Sequence, residues 1–218
     1  MKRNIKKIVG IMLVFAMVLV LSTQIWARPM GRCCMRKHHP HKLKTEVLMV
    51  IPPTDIEDLE FFVPKSILEA NGAKVTVAST TRDFAKGSQG ALVKPDIKIS
   101  DVKVKKYDAV IVVGGMGTIA HLWDDASLRK LLAEANRKDL IIGAICGAPP
   151  ALAKAGIMEG KSATMYTWDD GIKELEKYGA KYVDEDIVVS ENIVTGRNVD
   201  ASETFGLKMC EVLGILKK

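Results

Sequence analysis

Residues 140–156 read LIIGAICGAPPALAKAG, and this stretch decides the fold. Leu140–Ile145 is a continuous run of apolar and small residues, the pattern of a strand buried on both faces; a half-buried strand would alternate. The run passes directly into Cys146, Gly147, Ala148 and Pro149, and then into a helical period over about 148–155. Ala144 and Ala148 stand two before and two after Cys146, the layout of a nucleophile elbow, where a sharp strand-to-helix turn has no room for larger side chains. Pro149 suits a first helical turn, in which no amide hydrogen is required. A cysteine there feels the positive end of the helix dipole and nearby amides, so the sequence predicts a reactive Cys146 with a lowered pKa.

Similar apolar runs flank the elbow on both sides: Val47–Ile51, Lys74–Ala78 and Ala109–Val113 before it, and the weaker Ile187–Val189 and Ile193–Thr195 after it. Helical periods separate them at about 57–71, 125–136, 171–178 and 201–216. Leu128, Leu131, Leu132 and Ala135 follow an i, i+3, i+4, i+7 stripe behind Asp124 and Asp125 as caps. Phe205, Met209, Val212, Leu213 and Leu216 form a second stripe, with Asp200 and Glu203 as a capping pair. Buried strands alternating with helices predict one doubly wound, flavodoxin-like α/β sandwich with a mainly parallel sheet. KPDIKIS, within the insertion from Thr80 to Lys106, reads as a small edge hairpin. Cys210 falls among the core positions of the last helix and reads as packing.

Ligands of such sheets bind beyond the carboxyl ends of the strands. Two further loops reach that edge. Val112–Thr118, VVGGMGT, offers Gly114 and Gly115 for close backbone approach and amides for a developing oxyanion beside Cys146, with Met116 next to them. It matches neither GxGxxG nor a Walker loop, so no nucleotide or other cofactor is expected. The loop after the first strand carries Asp55, Glu57, Asp58 and Glu60. Acids at a helix start ordinarily serve the dipole. Glu60 differs because Phe61, Phe62 and Val63 follow it, which predicts that its carboxyl turns inward as a proton carrier.

The charge is unevenly spread. The chain has 32 Lys plus Arg and 26 Asp plus Glu, formally +6, yet residues 1–27 hold four cations and residues 28–44 six, with no acids in either segment. Residues 45–218 therefore carry 22 cations against 26 acids, formally −4. A domain of that balance lacks the basic footprint for nucleic acid. Residues 1–27 read as an export signal: MKRNIKK, then the 14-residue run IVGIMLVFAMVLVL, then STQIWA, with a cut after Ala27. Cleavage makes the protein periplasmic or extracellular; left uncut, the leader is a membrane anchor, the one membrane contact expected. Residues 28–44, RPMGRCCMRKHHPHKLK, read as a basic tether. Its Cys33, Cys34, His38, His39 and His41 suit copper or zinc by residue type, but no CxxC or HxxxH spacing supports a metal site.

The elbow AICGAPPALAKAG, the loop VVGGMG, the Glu60-FFVP segment and the closing IVTGR…FGLKMCEVL together resemble the ThiJ/PfpI family over roughly residues 45–216. The resemblance implies a homodimer or higher homo-oligomer, and a cysteine thiolate hydrogen-bonded to a protonated glutamate. These roles fall on Cys146 and Glu60, and the oxyanion amides on Gly115 and Gly147. The PfpI-type histidine after the cysteine is Gly147 here, and the histidine that other members place about twenty residues later is Tyr166. His121 is the one histidine of residues 45–218. Tyr166 and Trp168 are expected in the pocket, and Arg197 near it as a carboxylate partner or a structural ion pair. Three functions follow from the resemblance: glyoxalase- or deglycase-like chemistry on a small carbonyl or a glycated protein, a redox-responsive stress protein that oxidises at Cys146, and a cysteine peptidase.

Overall fold

The apolar runs become the strands of a seven-stranded sheet. In the computed structural model, which describes residues 44–217, these include β1 (Glu46–Val50), β2 (Lys74–Ser79), β5 (Ile97–Lys98), β6 (Ala109–Val112), β7 (Ile141–Ile145), β10 (Ile187–Ser190) and β11 (Ile193–Gly196). Their order is β10-β11-β7-β6-β1-β2-β5, all parallel except the β10–β11 hairpin. The doubly wound, mainly parallel sandwich expected from the runs is thus present. The leader, the basic arm and the arm's Cys33, Cys34, His38, His39 and His41 lie outside the described residues.

Alternation within β1 divides the core. Val47, Met49 and Ile51 point to one face, where they meet Phe61, Leu68, Phe205 and Met209. Leu48 and Val50 point to the other, against Leu128, Leu132, Leu152 and Met158. Helices α1 (Asp58–Ala70) and α6 (Ser202–Leu213) cover the first face, and α3 (Ala126–Arg137), α4 (Pro149–Lys154) and α5 (Asp169–Lys177) supply the second. Each fully buried Leu or Phe contributes about 1.5–3 kcal/mol of transfer free energy, which is why continuous rather than alternating hydrophobicity marks these strands. Cys210 is fully buried in the first cluster, as packing.

Several local expectations are corrected. KPDIKIS is not a hairpin: Ile97–Lys98 adds a parallel edge strand to β2, and the hairpin is instead β3 (Ala85–Lys86) with β4 (Leu92–Val93). Helix α6 stops at Leu213 because Gly214 takes a left-handed φ of 71°, so Leu216 lies past the helix and is exposed. No side chain caps α6, since the 3-10 turn Val199–Ala201 leads directly into it. Asp125 does cap α3, accepting from the Leu128 amide at 2.7 Å, whereas Asp124 turns to Lys154. Two elements had no expectation: the six-residue helix α2 (Met116–His121) after the glycine loop, and the small parallel pair β8 (Ser162–Ala163) and β9 (Lys181–Tyr182). Among the described residues no helix is long and apolar enough to cross a membrane.

Candidate active site

The chain leaves β1 toward β2 on one side and β6 toward β7 and β11 on the other, so the sheet reverses direction between β1 and β6. A crevice opens at such a reversal, at the carboxyl ends of the strands. Here the loops after β1, β6 and β7 meet.

Cys146 follows β7 with φ 60°, a left-handed conformation that costs a non-glycine residue free energy and persists only where neighbours enforce it. Two backbone hydrogen bonds do so: the Cys146 amide donates to the Gly196 carbonyl at 3.0 Å, and its carbonyl accepts from the Tyr166 amide at 3.1 Å. The next residue is held as well. The Trp123 indole Nε1 donates to the Gly147 carbonyl at 2.7 Å, and Trp123 stacks on Trp168 with ring centroids 6.0 Å apart. Behind the stack, Lys154 bridges Asp124 at 2.8 Å and Glu174 at 2.9 Å.

Glu60 comes from the first turn of α1 and is only 1% exposed. Pro64 lies four residues on and has no amide to give the Glu60 carbonyl, so the helix is opened at this residue. Neither carboxyl oxygen has a protein partner in hydrogen-bond geometry, although the Cys146 thiol and the Gly114 amide both act on its ionisation. Gly114 is required at this spot. A methyl group there would lie 2.2 Å from Glu60 Oε2 and 2.7 Å from Cys146 Cβ. The glycine loop is in turn tied to α2 through Thr118, whose hydroxyl donates to the Val113 carbonyl at 2.7 Å.

Burial pushes the Glu60 carboxyl up to about 8, and the nearby Glu57 carboxylate adds to the rise. Around neutral pH it therefore holds a proton that an ordinary glutamate would have lost. Cys146 does not have the lowered pKa that its position predicts. Burial raises the thiol, and an ionised Glu60 beside it raises it further, against the Gly115 and Gly147 amides that favour the anion. The helix expected to lower it has six residues and begins with Pro149 and Pro150, which offer no amide hydrogens. Both groups are pushed toward their neutral forms, and their ionisation is coupled.

The raised carboxyl carries a stability consequence. The native state binds a proton at Glu60 between about pH 4.5 and 8 that the unfolded chain releases, so its contribution is fully present below 4.5 and is lost as pH rises through 8. Glu60→Gln keeps a neutral group in place. The variant is expected to gain on the wild type by at least about 1 kcal/mol between these pH values in urea unfolding; a constant difference across the range would show that Glu60 is not held protonated.

Cys146 opens on a cleft of about 480 Å³ whose walls include Gly115, Gly147, Met116, Tyr166 and Trp168. The expected site residues come together with two exceptions. His121, on α2, pairs with the Thr54 hydroxyl at 3.1 Å and does not line the cleft. Arg197 is bound to Asp184 at 3.0 Å and Asp186 at 3.6 Å, a structural ion pair rather than a cleft cation. Two lining residues were not anticipated, Ile119 and Glu57. Glu57 was readable as one of the acids of the loop after the first strand; it stands at the N-cap of α1, three residues before Glu60. Among the described residues no group of three or more His, Cys, Asp or Glu side chains is placed to hold a metal ion.

A doubly wound sheet with a strained cysteine at the strand-to-helix turn and a buried carboxyl against it defines a class of flavodoxin-like cysteine-elbow proteins. This chain belongs to the DJ-1/PfpI family, which it matches over residues 45–212. It is 40% identical over 168 residues to an uncharacterized protein of Methanocaldococcus jannaschii, covering 77% of this chain and 82% of that one. It is 32% identical over 166 residues to the glutathione-independent glyoxalase DJR-1.2 of Caenorhabditis elegans, covering 76% and 87%. Among solved structures, the ThiJ/PfpI domain protein of Brachyspira murdochii superposes with a TM-score of 0.75 at 32% identity, covering 80% of this chain and 99% of that one.

Proposed function

We propose that this protein is an exported, cysteine-dependent glyoxalase- or deglycase-like enzyme acting on 2-oxoaldehydes or their protein adducts. The observation that carries the reading is the buried, unpartnered Glu60 carboxyl set against Cys146 at a cleft without a histidine among its lining residues. A carboxyl of raised pKa serves as both acid and base near neutral pH. The glyoxalase among its relatives gives independent support. Peptide cleavage has no such support, because His121 is engaged with Thr54 away from the thiol.

In the proposed cycle the Cys146 sulfur attacks the aldehyde carbon of methylglyoxal while the thiol proton passes to ionised Glu60. The new C–S bond replaces the carbonyl π bond, the Gly115 and Gly147 amides bind the oxyanion, and Glu60 returns the proton to give a hemithioacetal. Glu60 then moves the C1 proton to C2, oxidising the aldehyde carbon and reducing the ketone carbon within one molecule. Water hydrolyses the resulting lactoyl thioester to lactate and the free thiol, so no external oxidant or reductant is consumed.

The test is lactate release from methylglyoxal by the purified protein without added glutathione. Stoichiometric oxidation of Cys146 by peroxide with no lactate formed would replace the enzyme by the redox-responsive reading. Export is supported by the leader sequence, and the N-terminal mass of secreted material, beginning at Arg28, checks it.

A further inference from the structure

The cleft carries charge of one sign. Among the described residues, Glu57 is the one carboxylate on its wall, and no Lys, Arg or His lines it. Glu57 is held in place from the β3–β4 connection, where Gln89 Nε2 donates to its carboxylate at 3.0 Å and the Ser88 hydroxyl at 3.4 Å. Its neighbour Asp58 is buried and faces the same connection, accepting from the Gln89 and Ala91 amides at 3.1 and 3.0 Å. Asp58 thereby locks the same connection onto α1, and Gly87 makes the contact feasible, since a methyl group there would lie 2.3 Å from Asp58 Oδ2. Among the described residues, Arg197 is paired with Asp184 and Asp186, and Lys154 with Asp124 and Glu174. The buried Glu60 carboxyl lies behind the same thiol, so among the described residues the side chains acting on Cys146 from this side are acids.

We propose that Glu57 is a specificity residue that restricts the Cys146 cleft to uncharged or cationic carbonyl compounds and excludes those bearing a carboxylate or phosphate. This rests on the reading of Cys146 as the attacking group and refines its substrate class. An anion entering the cleft meets a fixed like charge with no compensating cationic side chain among the described lining residues, whereas a neutral 2-oxoaldehyde, or one attached to a cationic side chain, does not meet a like charge.

The test needs no turnover. Full-length protein is alkylated with iodoacetamide or with iodoacetate, reagents that differ in charge, and the rate is read at the Cys146 peptide by mass spectrometry. The iodoacetate-to-iodoacetamide rate ratio, normalised to a small free thiol, is expected to lie below one. It is expected to rise about three- to tenfold in Glu57→Gln, as removal of one charge at contact range in a half-wet cleft predicts. In unaltered protein the ratio is expected to rise as salt increases from about 0.02 to about 0.5 M, because screening weakens the repulsion; this arm stands even where the variant fails to fold. A ratio indifferent to both salt and Glu57→Gln overturns the proposal. If the ratio responds but methylglyoxal yields no lactate, the charge selectivity holds and the glyoxalase reading fails, so the two failures are distinct.

Discussion

Glu60→Gln is expected to lower kcat for methylglyoxal by about a hundred- to ten-thousandfold, the range for loss of a positioned acid–base group. Gln fills the same buried space and remains neutral, as Glu60 is near neutral pH, so the fold and the thiol are retained. It cannot take up or release a proton, and all three proton transfers of the proposed cycle stop. The loss should therefore fall in kcat more than in KM, and Cys146 should still be alkylated by iodoacetamide. Cys146→Ser should remove activity to the uncatalysed level, because a hydroxyl in this buried setting ionises far less readily than a thiol. The pH profile separates this mechanism from a structural effect. In the proposed cycle the singly ionised Cys146–Glu60 pair is the reactive species, so wild-type kcat/KM is expected to rise with pH, to be half-maximal near 8, the value to which burial pushes Glu60, and to level off above it. Stopped lactate assays across this range check it. Wild-type activity that persists undiminished in Glu60→Gln would remove the carboxyl from the mechanism.

Gly117→Ala is expected to be the most damaging single-methyl addition near the site. A methyl group at this position would lie 1.7 Å from the Thr54 carbonyl oxygen, 2.8 Å from the Thr54 carbonyl carbon and 3.1 Å from Pro52 Cβ. Two of these atoms belong to the backbone and cannot rotate away. The loop between β1 and α1 would have to move off α2, breaking the hydrogen bond from the Gly117 amide to the Asp55 carbonyl. It would carry Glu57 and the start of α1 with it. Overpacking of this kind costs about 3 kcal/mol, which for a domain of this size lowers Tm by about 6–12 °C. Gly147→Ala is the control. Its nearest neighbour would be Ile119 Cγ1 at 3.4 Å, an ordinary contact with a flexible side chain, and its thermal stability should change by less than about 1 kcal/mol. Equal Tm losses in the two variants, measured by circular dichroism, would show that the β1–α1 loop yields freely.

How much of this was readable depends on whether the controlling interaction is local. The elbow was readable because its requirement for small residues acts within five positions of Cys146. Glu60 was readable because it shares a helical face with Pro64 and Leu68, four and eight residues on, which are buried, whereas Phe62 turns out to solvent. The glycine loop was located, but not the need for Gly114, which arises from two side chains brought in from the ends of separate elements. Trp123 was not singled out, since its hydrogen bond to Gly147 spans 24 positions and no pattern in either segment announces it. His121 and Arg197 lie in the right loops for a site, yet partners from elsewhere, Thr54 for one and Asp184 with Asp186 for the other, turn them away.

The sequence by itself determined the buried parallel strands, the cysteine at their carboxyl edge and the inward turn of Glu60, because hydrophobic periodicity and turn sterics act over a few residues; that Glu60 meets Cys146 came from the family resemblance. Only the tertiary structure decided the electrostatics of the site. Desolvation depends on what closes over a group from every direction, so the Cys146 thiol is raised where the local helix predicts lowering, and Glu60 keeps its proton to about 8. The same dependence makes Glu57, one acid among several at a helix start, the fixed charge on the cleft wall.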